Sequence, residues 1–312
     1  MSKALLPSRL AVSFAVLALA LASCGDSEEA PQVGDPACDN LDEATCLFPF
    51  PSDFFRKSGG PYGQAHHLDF GPSMPASAVT DVRMDPEPFK IHDGFPTLTA
   101  ITFTLPGATL AGAPTLEDID ASLRPDSRTL VVDAETGELA PHWAELDYVA
   151  EDRGEQVIQL RLANVLRYNR RYVVAIRGLV DASGAKVASP RAFKALKEGR
   201  RAPVVGVDER RERFEREVFP VLERIGLPKS EVQLAWDFTT ASEQNATSRL
   251  LTMRDRLYAA IGAEGPEYTV TNVVEDPDGP DGPIARIVEA TAKIPSFVLP
   301  PEPGGYPRRL RL

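Results

Sequence analysis

Three thiols, Cys24, Cys38 and Cys46, and four imidazoles, His66, His67, His92 and His142, are the side chains best suited to covalent or metal chemistry. Cys38 and Cys46 are close enough to close a short loop, a bond that contributes about 2–3 kcal/mol by restricting the unfolded chain. The alternative is two free thiols, and the redox compartment decides between them. A metal site is disfavoured there, because no His or further Cys lies nearby at ligand spacing. His66-His67 offers two adjacent imidazoles, but neighbours on an extended chain point to opposite sides and do not converge on one ion. Asp276, Asp278 and Asp281 cluster carboxylates as hard cations require, yet the twelfth position from Asp276 is Ile287, where a calcium loop carries a bidentate Glu. DPDGPDGP therefore reads as an ordinary turn. For nucleophilic catalysis the nearest string is Gly71-Pro72-Ser73-Met74-Pro75, with proline where a strand-to-helix elbow needs its second glycine. No histidine follows a candidate Ser and acid in hydrolase order, and H-E-x-x-H, P-loop and G-x-G-x-x-G strings are missing. The sequence assigns no catalytic, metal-binding or cofactor-binding residue.

Cys24 is placed by what precedes it. Lys3 and Arg9 are followed by an apolar run from Leu10 to Ala22, the layout of a bacterial export signal. The run is about 13 residues where a membrane span needs about 20. Leu21-Ala22-Ser23-Cys24 resembles the bacterial lipobox, which implies acylation of Cys24 as the new N-terminus. At about 0.8 kcal/mol per buried methylene, two or more chains hold a protein durably to a membrane. Ala20-Leu21-Ala22 also fits ordinary signal cleavage, and an uncleaved anchor is a third reading. Gly25 follows the cysteine directly; Asp in that place is the inner-membrane retention signal, so the resemblance implies an outer-membrane lipoprotein, facing the periplasm or the cell surface. Export favours a Cys38–Cys46 disulfide.

About 290 residues remain after the leader, enough for two modest domains or one large one. Removing Lys3 and Arg9 leaves 32 basic against 45 acidic residues, a net charge of −13. That balance excludes nucleic acid and anionic membrane surfaces as partners of the folded body. The 28 prolines and 22 glycines are spread as punctuation between short segments, which predicts many short strands and turns.

In chain order, residues 1–23 form the signal and 24–37 a polar acidic tether. Residues 38–92 are an irregular Pro- and aromatic-rich segment, whose Phe48, Phe50, Phe54 and Phe55 pack against a sheet. Residues 93–196 carry a strand rhythm: Leu98–Leu105, Leu130–Val132, Trp143–Val149, Val157–Leu162 and Tyr172–Ile176, with turn signals between them. Such spacing predicts an antiparallel sandwich. Residues 197–300 form an α+β segment. Its first helix spans Val207–Ile225, with Glu209–Arg213 and Glu212–Arg216 pairs on a solvated face and Pro220 kinking or restarting it. Val232, Leu234 and Trp236 or Phe238 mark one face of a strand. Thr240 and Glu243 form a capping box opening a second helix that ends at Gly262. EYTVTNVVE and IARIVEATAKIP make a hairpin, and 301–312 is a Pro-rich basic tail. The expected fold is mainly β with α additions: an Ig-like antiparallel β-sandwich followed by a smaller α+β segment.

The stretch LRYNRRYVVAIRGLVDASGAKVASPRAF resembles the closing strands of a bacterial Ig-like domain, with Leu166 and Tyr168 at the corner and Asp181–Gly184 as hairpin turn. TLEDIDASLRPDSRTLVVDAETGELAP resembles its opening half. CLFPFPSDFF, DGFPTLTAITF, QLAWDFTTAS and KIPSFVLP occur in an order similar to the N-terminal region of the bacterial extracellular or virulence-factor lipases of the Pla-1/cef type. The resemblance spans roughly Cys38 to Pro300. It implies an α/β-hydrolase domain after this region, with a Ser nucleophile in a G-x-S-x-G turn that this chain does not carry. It implies a non-catalytic part of a lipase or esterase, held at the membrane through N-terminal acyl chains. The alternative is a stand-alone surface lipoprotein acting as a binding or structural module, its ligand unknown.

Overall fold

The computed structural model describes residues 33–42, 45–77, 79–148 and 156–298. Cys24, the signal and the 301–312 tail lie outside the described residues. In chain order the strands are β1 Arg56–Ser58, β2 His66–Leu68, β3 Ile101–Thr104, β4 Thr129–Asp133, β5 His142–Leu146, β6 Val157–Leu162, β7 Arg171–Arg177, β8 Val232–Thr239, β9 Tyr268–Glu275 and β10 Arg286–Ala292. The α-helices are α1 Arg191–Lys197, α2 Arg211–Arg213, α3 Phe219–Arg224 and α4 Glu243–Ile261. The protein is mainly β with α additions.

Two three-stranded antiparallel sheets form the body, one in the order β3-β6-β5 and the other β4-β7-β8. β6 shows why the pattern in VIQLRL folds as it does. Ile158, Leu160 and Leu162 are buried on one face, while Arg161 faces water, the period of two expected of a half-solvated strand. The sheets touch where the Phe103 ring of β3 lies 5.6 Å from that of Trp236 in β8. They touch again where Thr129 of β4 meets His142 of β5 at 2.8 Å. β8 departs from the one-faced strand that its apolar alternation predicts. Every residue of it is buried, because its polar positions have partners of their own. Gln233 bridges the amide and carbonyl of Leu179 and reaches the carbonyl of Val187. Although it follows residue 197, β8 is the third strand of the β4-β7-β8 sheet.

The Pro- and Phe-rich segment packs against this body. Phe50 exchanges both backbone hydrogen bonds with Thr102 of β3, and Phe55, Phe70, Phe95 and Phe238 make a chain of ring contacts from it to β8. Cys38 and Cys46 form a disulfide, with Cα atoms 4.5 Å apart. The Trp236 indole donates to the carbonyl of Pro51 at 2.8 Å. That buried tryptophan thus fixes both the second sheet and the segment laid over it. Val33, in the stretch read as a tether, pairs in parallel with Val204.

The helix expected over Val207–Ile225 is broken in one place. A five-residue π-turn, Phe214–Val218, joins α2 to α3, and Pro220 stands in the first turn of α3. Proline lacks the amide that a continuous helix would use at that point, so the wider turn absorbs the missing bond. Phe214, Val218, Phe219 and Leu222 still reach the core. The pair Glu212–Arg216 forms at 2.8 Å. Arg213 does not follow the solvated-face reading: it turns inward to Asp53, Asp237 and Glu217.

Tyr168 lies in the turn before β7 and is exposed, while the hydroxyl of Tyr172, within β7, accepts from the amide of Arg167 at 3.0 Å. One more expectation is corrected. The cap of α4 is Ser242, whose hydroxyl accepts from the amide of Asn245 at 3.1 Å. Thr240 is occupied elsewhere, donating to the carbonyls of Arg167 and Arg170. The helix ends at Gly262, as read, at φ 67°.

Candidate interaction surface

The part of the chain from Ser242 onward differs in kind from the body. Its root is clamped. Asp93 accepts from both the amide and the hydroxyl of Ser242, at 3.0 and 2.6 Å, and Asn245 donates to the carbonyl of Ile91 at 2.8 Å. Arg249 approaches His92 at 3.5 Å, and burial, with that guanidinium, holds the His92 imidazole below its ordinary pKa. Beyond this root no described residue is buried. No residue of the 19-residue α4 is buried, and Leu250 and Tyr258 are 69 % and 62 % exposed. An amphipathic helix normally buries its apolar stripe, whereas this one leaves apolar area exposed.

The β9–β10 hairpin continues the pattern. It forms a sheet of its own, with β9 and β10 hydrogen-bonded to each other, and all fifteen of its residues are exposed. The register sorts the side chains into two faces. Val273 lies opposite Val288, Val270 opposite Ala290 and Tyr268 opposite Ala292 on one face, with the Glu275–Arg286 ion pair at its end at 2.8 Å. The other face carries Val274 opposite Ile287, Asn272 opposite Glu289 and Thr269 opposite Thr291. One face is therefore an apolar stripe and the other is mixed. A lone two-stranded hairpin is marginal in water and gains stability from a third strand or a covering layer. Exposed apolar area of this kind marks an interaction site.

The buried polar groups do other work. Asp53 accepts from the amide and hydroxyl of Thr239, at 2.8 and 2.7 Å. Arg213 donates to Asp53 at 3.3 Å and to Asp237 at 2.6 Å, and Arg171 donates to Asp237 at 3.2 Å. Burial, reinforced by the neighbouring Asp53 charge, pushes the Asp237 carboxyl above its ordinary value against the pull of the two guanidiniums. A second strut joins Asp39 to Ser52 and to Arg210. These groups lock the N-terminal segment onto β8 and the helical run. Sequence reading missed them, taking the charge run at 209–216 as wholly solvated. The available signal was Asp237 itself, a charge inside an apolar strand that must have a buried cation nearby.

The other residues weighed for chemistry are held in structural contacts. His142 is fully buried; its ring lies between the Thr129 hydroxyl and the Ala140 carbonyl, both at 2.8 Å, and burial holds its pKa down. Ser73 sits in a 3-10 turn and donates to the carbonyl of Ala37 at 2.5 Å. His66 and His67 lie in β2, where they pair with Ser58 and Lys57 of β1. Asp276 begins the hairpin turn, its amide donating to Ala285 at 2.8 Å. No group of three or more His, Cys, Asp or Glu side chains suited to a metal ion occurs among the described residues. No helix among them is long and apolar enough to cross a membrane. No family model matches this chain, and no match was found among curated proteins or among solved structures.

Proposed function

We propose that this chain is the non-catalytic, Ig-like N-terminal region of an envelope-anchored lipase- or esterase-type serine hydrolase. Acyl chains on Cys24 hold it at the outer membrane, and its C-terminal arm receives the hydrolase domain. The observation that carries this reading is the arm itself: a 19-residue helix without a buried residue and a hairpin exposed along its whole length. The body needs nothing further to close its core, whereas the arm is built to be covered. The Ig-like part of the reading draws support from the Tyr172 hydroxyl, which bonds to backbone five residues upstream, as the tyrosine corner of such sandwiches does. Two antiparallel three-stranded sheets in ring contact across Phe103 and Trp236 agree with it.

A stand-alone binding module is the second reading, and one feature favours it. An open cavity of about 460 Å³ is lined by Leu98, Thr99, Trp143, Glu145, Arg161 and Leu162. Glu145 accepts from the Trp143 indole at 2.7 Å and from Arg161 at 3.2 Å, an aromatic wall beside fixed polar groups, as small-ligand sites have.

Reading the DNA 3′ of the Leu312 codon separates the two. A hydrolase-coding stretch with G-x-S-x-G in any frame is expected, together with a mature N-terminus that mass spectrometry finds acylated at Cys24. An unmodified N-terminus on a cytosolic product contradicts the proposal. So does labelling of the 312-residue chain by a serine-reactive probe.

A further inference from the structure

We propose that the outer edge of β10 accepts a third β-strand, supplied by the hydrolase domain that the preceding section places against the arm. The inference rests on that reading for the strand's source. Its geometry rests on the hairpin alone.

The two edges of the hairpin are not equivalent. In β9, Thr271 has no opposite number: Asn272 faces Glu289 and Val270 faces Ala290, so the register shifts around it. The Thr271 hydroxyl is spent inside the pair, donating to the carbonyl of Glu289 at 3.1 Å. A bulge bends its strand and increases local twist, one of the devices that keep an edge from pairing. β10 carries no extra residue, no proline and no lysine between Arg286 and Ala292. It is the straight edge.

Backbone alternation shows which groups it offers. The amide of Lys293 donates to Glu267, and the carbonyl of Ala285 accepts from Asp276. Counting in twos between them turns the amides of Ile287, Glu289 and Thr291 toward β9, and those of Val288 and Ala290 outward. Those outward groups form a ladder waiting for a partner, the situation that strand addition exploits.

The faces define the partner's chemistry. Beside Val288 and Ala290 the incoming strand presents apolar side chains on the face shared with Val270 and Val273. Glu289 lies on the opposite face, between Ile287 and Thr291, and takes no part in the hairpin's ion pairs, Glu275–Arg286 and Glu267–Lys293. The occupant therefore carries a Lys or Arg opposite Glu289, since opposite charges facing each other across strands stabilise the pair. It is an alternating apolar strand with one cation, and not a second copy of β10. A two-fold self-pairing centred near Glu289 would set two carboxylates against each other.

The test uses hydrogen exchange on the 312-residue chain, alone and mixed with the polypeptide encoded 3′ of Leu312. The outward amides of Val288 and Ala290 are expected to exchange at least 100-fold more slowly in the mixture, as protection follows pairing. Val288→Pro removes an outward donor without taking a bond from β9, and is expected to abolish the protection while the chain alone keeps its melting temperature. Glu289→Lys, which keeps the backbone intact, is expected to weaken association about 2–5-fold. If the two polypeptides associate and β10 exchanges as it does alone, the strand addition is wrong and the proposed function stands. If no hydrolase is encoded there in any frame, both fall.

Discussion

The body and the C-terminal arm use the same secondary structures to opposite ends. β8 is buried at all eight positions, polar ones included, while β9, of equal length and richer in valine, is exposed at all eight. The difference is not in strand propensity but in what lies above and below each strand. Around β8 each polar side chain has a partner drawn from another part of the chain, with one oxygen of Asp237 left without a hydrogen bond. Asp53 serves Thr239 across 186 residues of sequence, and Pro51 serves Trp236 across 185. Among the described strands β9 pairs with β10 alone. Apolar alternation states that a strand has a face to cover; it does not state whether this chain covers it.

The contrast is broken most severely by truncating the body at its joint. Trp236→Ala removes a fully buried ring and its bond to Pro51, and is expected to lower unfolding free energy by about 3–5 kcal/mol in urea titrations. Asp53→Ala leaves Thr239 without its acceptor and takes one of three carboxylates from Arg213, which keeps Asp237 and Glu217, and a loss of about 3 kcal/mol is expected, at the low end for a broken buried pair. If either variant unfolds at the wild-type urea midpoint, the struts are not what fastens the segment to β8. Opening the Cys38–Cys46 disulfide with reductant should cost about 2–3 kcal/mol, the worth of closing so short a loop. Equal melting of oxidised and reduced chains would show that residues 38–46 are held by the surrounding contacts alone.

Acidification gives a smaller and more specific effect. Burial lowers the pKa of His142 in the folded chain, so the native state favours the neutral ring. Its contribution is complete above the unfolded value of about 6.5 and is lost as pH falls below it, by up to about 1.4 kcal/mol per pH unit. Asp237, raised by burial, works in the opposite sense at lower pH. The difference between wild type and His142→Gln, measured from pH 7.5 to 5.5, isolates the histidine: the wild type should lose stability over that window and the variant less. Parallel curves would contradict a neutral buried ring. The smallest effect belongs to the arm, where Leu250→Ala should change global stability by less than about 0.5 kcal/mol, because the side chain is already in water.

Much of this division was legible in the residues, and the misses share one cause. Alternation in VIQLRL, the turn at Asp181–Gly184, the Phe-rich packing segment and the β9–β10 hairpin are local signals, and each is found where the pattern puts it. YVVAI is a strand as read, but its alternation does not make it half-buried: all five residues are enclosed, because β7 is the central strand between β4 and β8. Ser242 and Thr240 are both competent caps for α4. The choice falls to Asp93, about 150 residues away, which positions Ser242. A helix of mixed charge reads as solvated at Arg213; only the approach of Asp53 and Asp237 from other elements turns it inward. Long-range partners decide these cases, and a single sequence does not announce them. For the interaction surface the sequence gives composition, and only the fold reveals that its apolar stripe is uncovered.

Hydrogen exchange along the intact 312-residue chain tests the central contrast most directly. Amides of β4, β7 and β8 are expected to open only with global unfolding, and those of β9 and β10 at least about 1,000-fold faster, through local opening. Protection of the hairpin equal to that of the body, in a chain shown to be monomeric, would contradict an arm built to be covered by a partner.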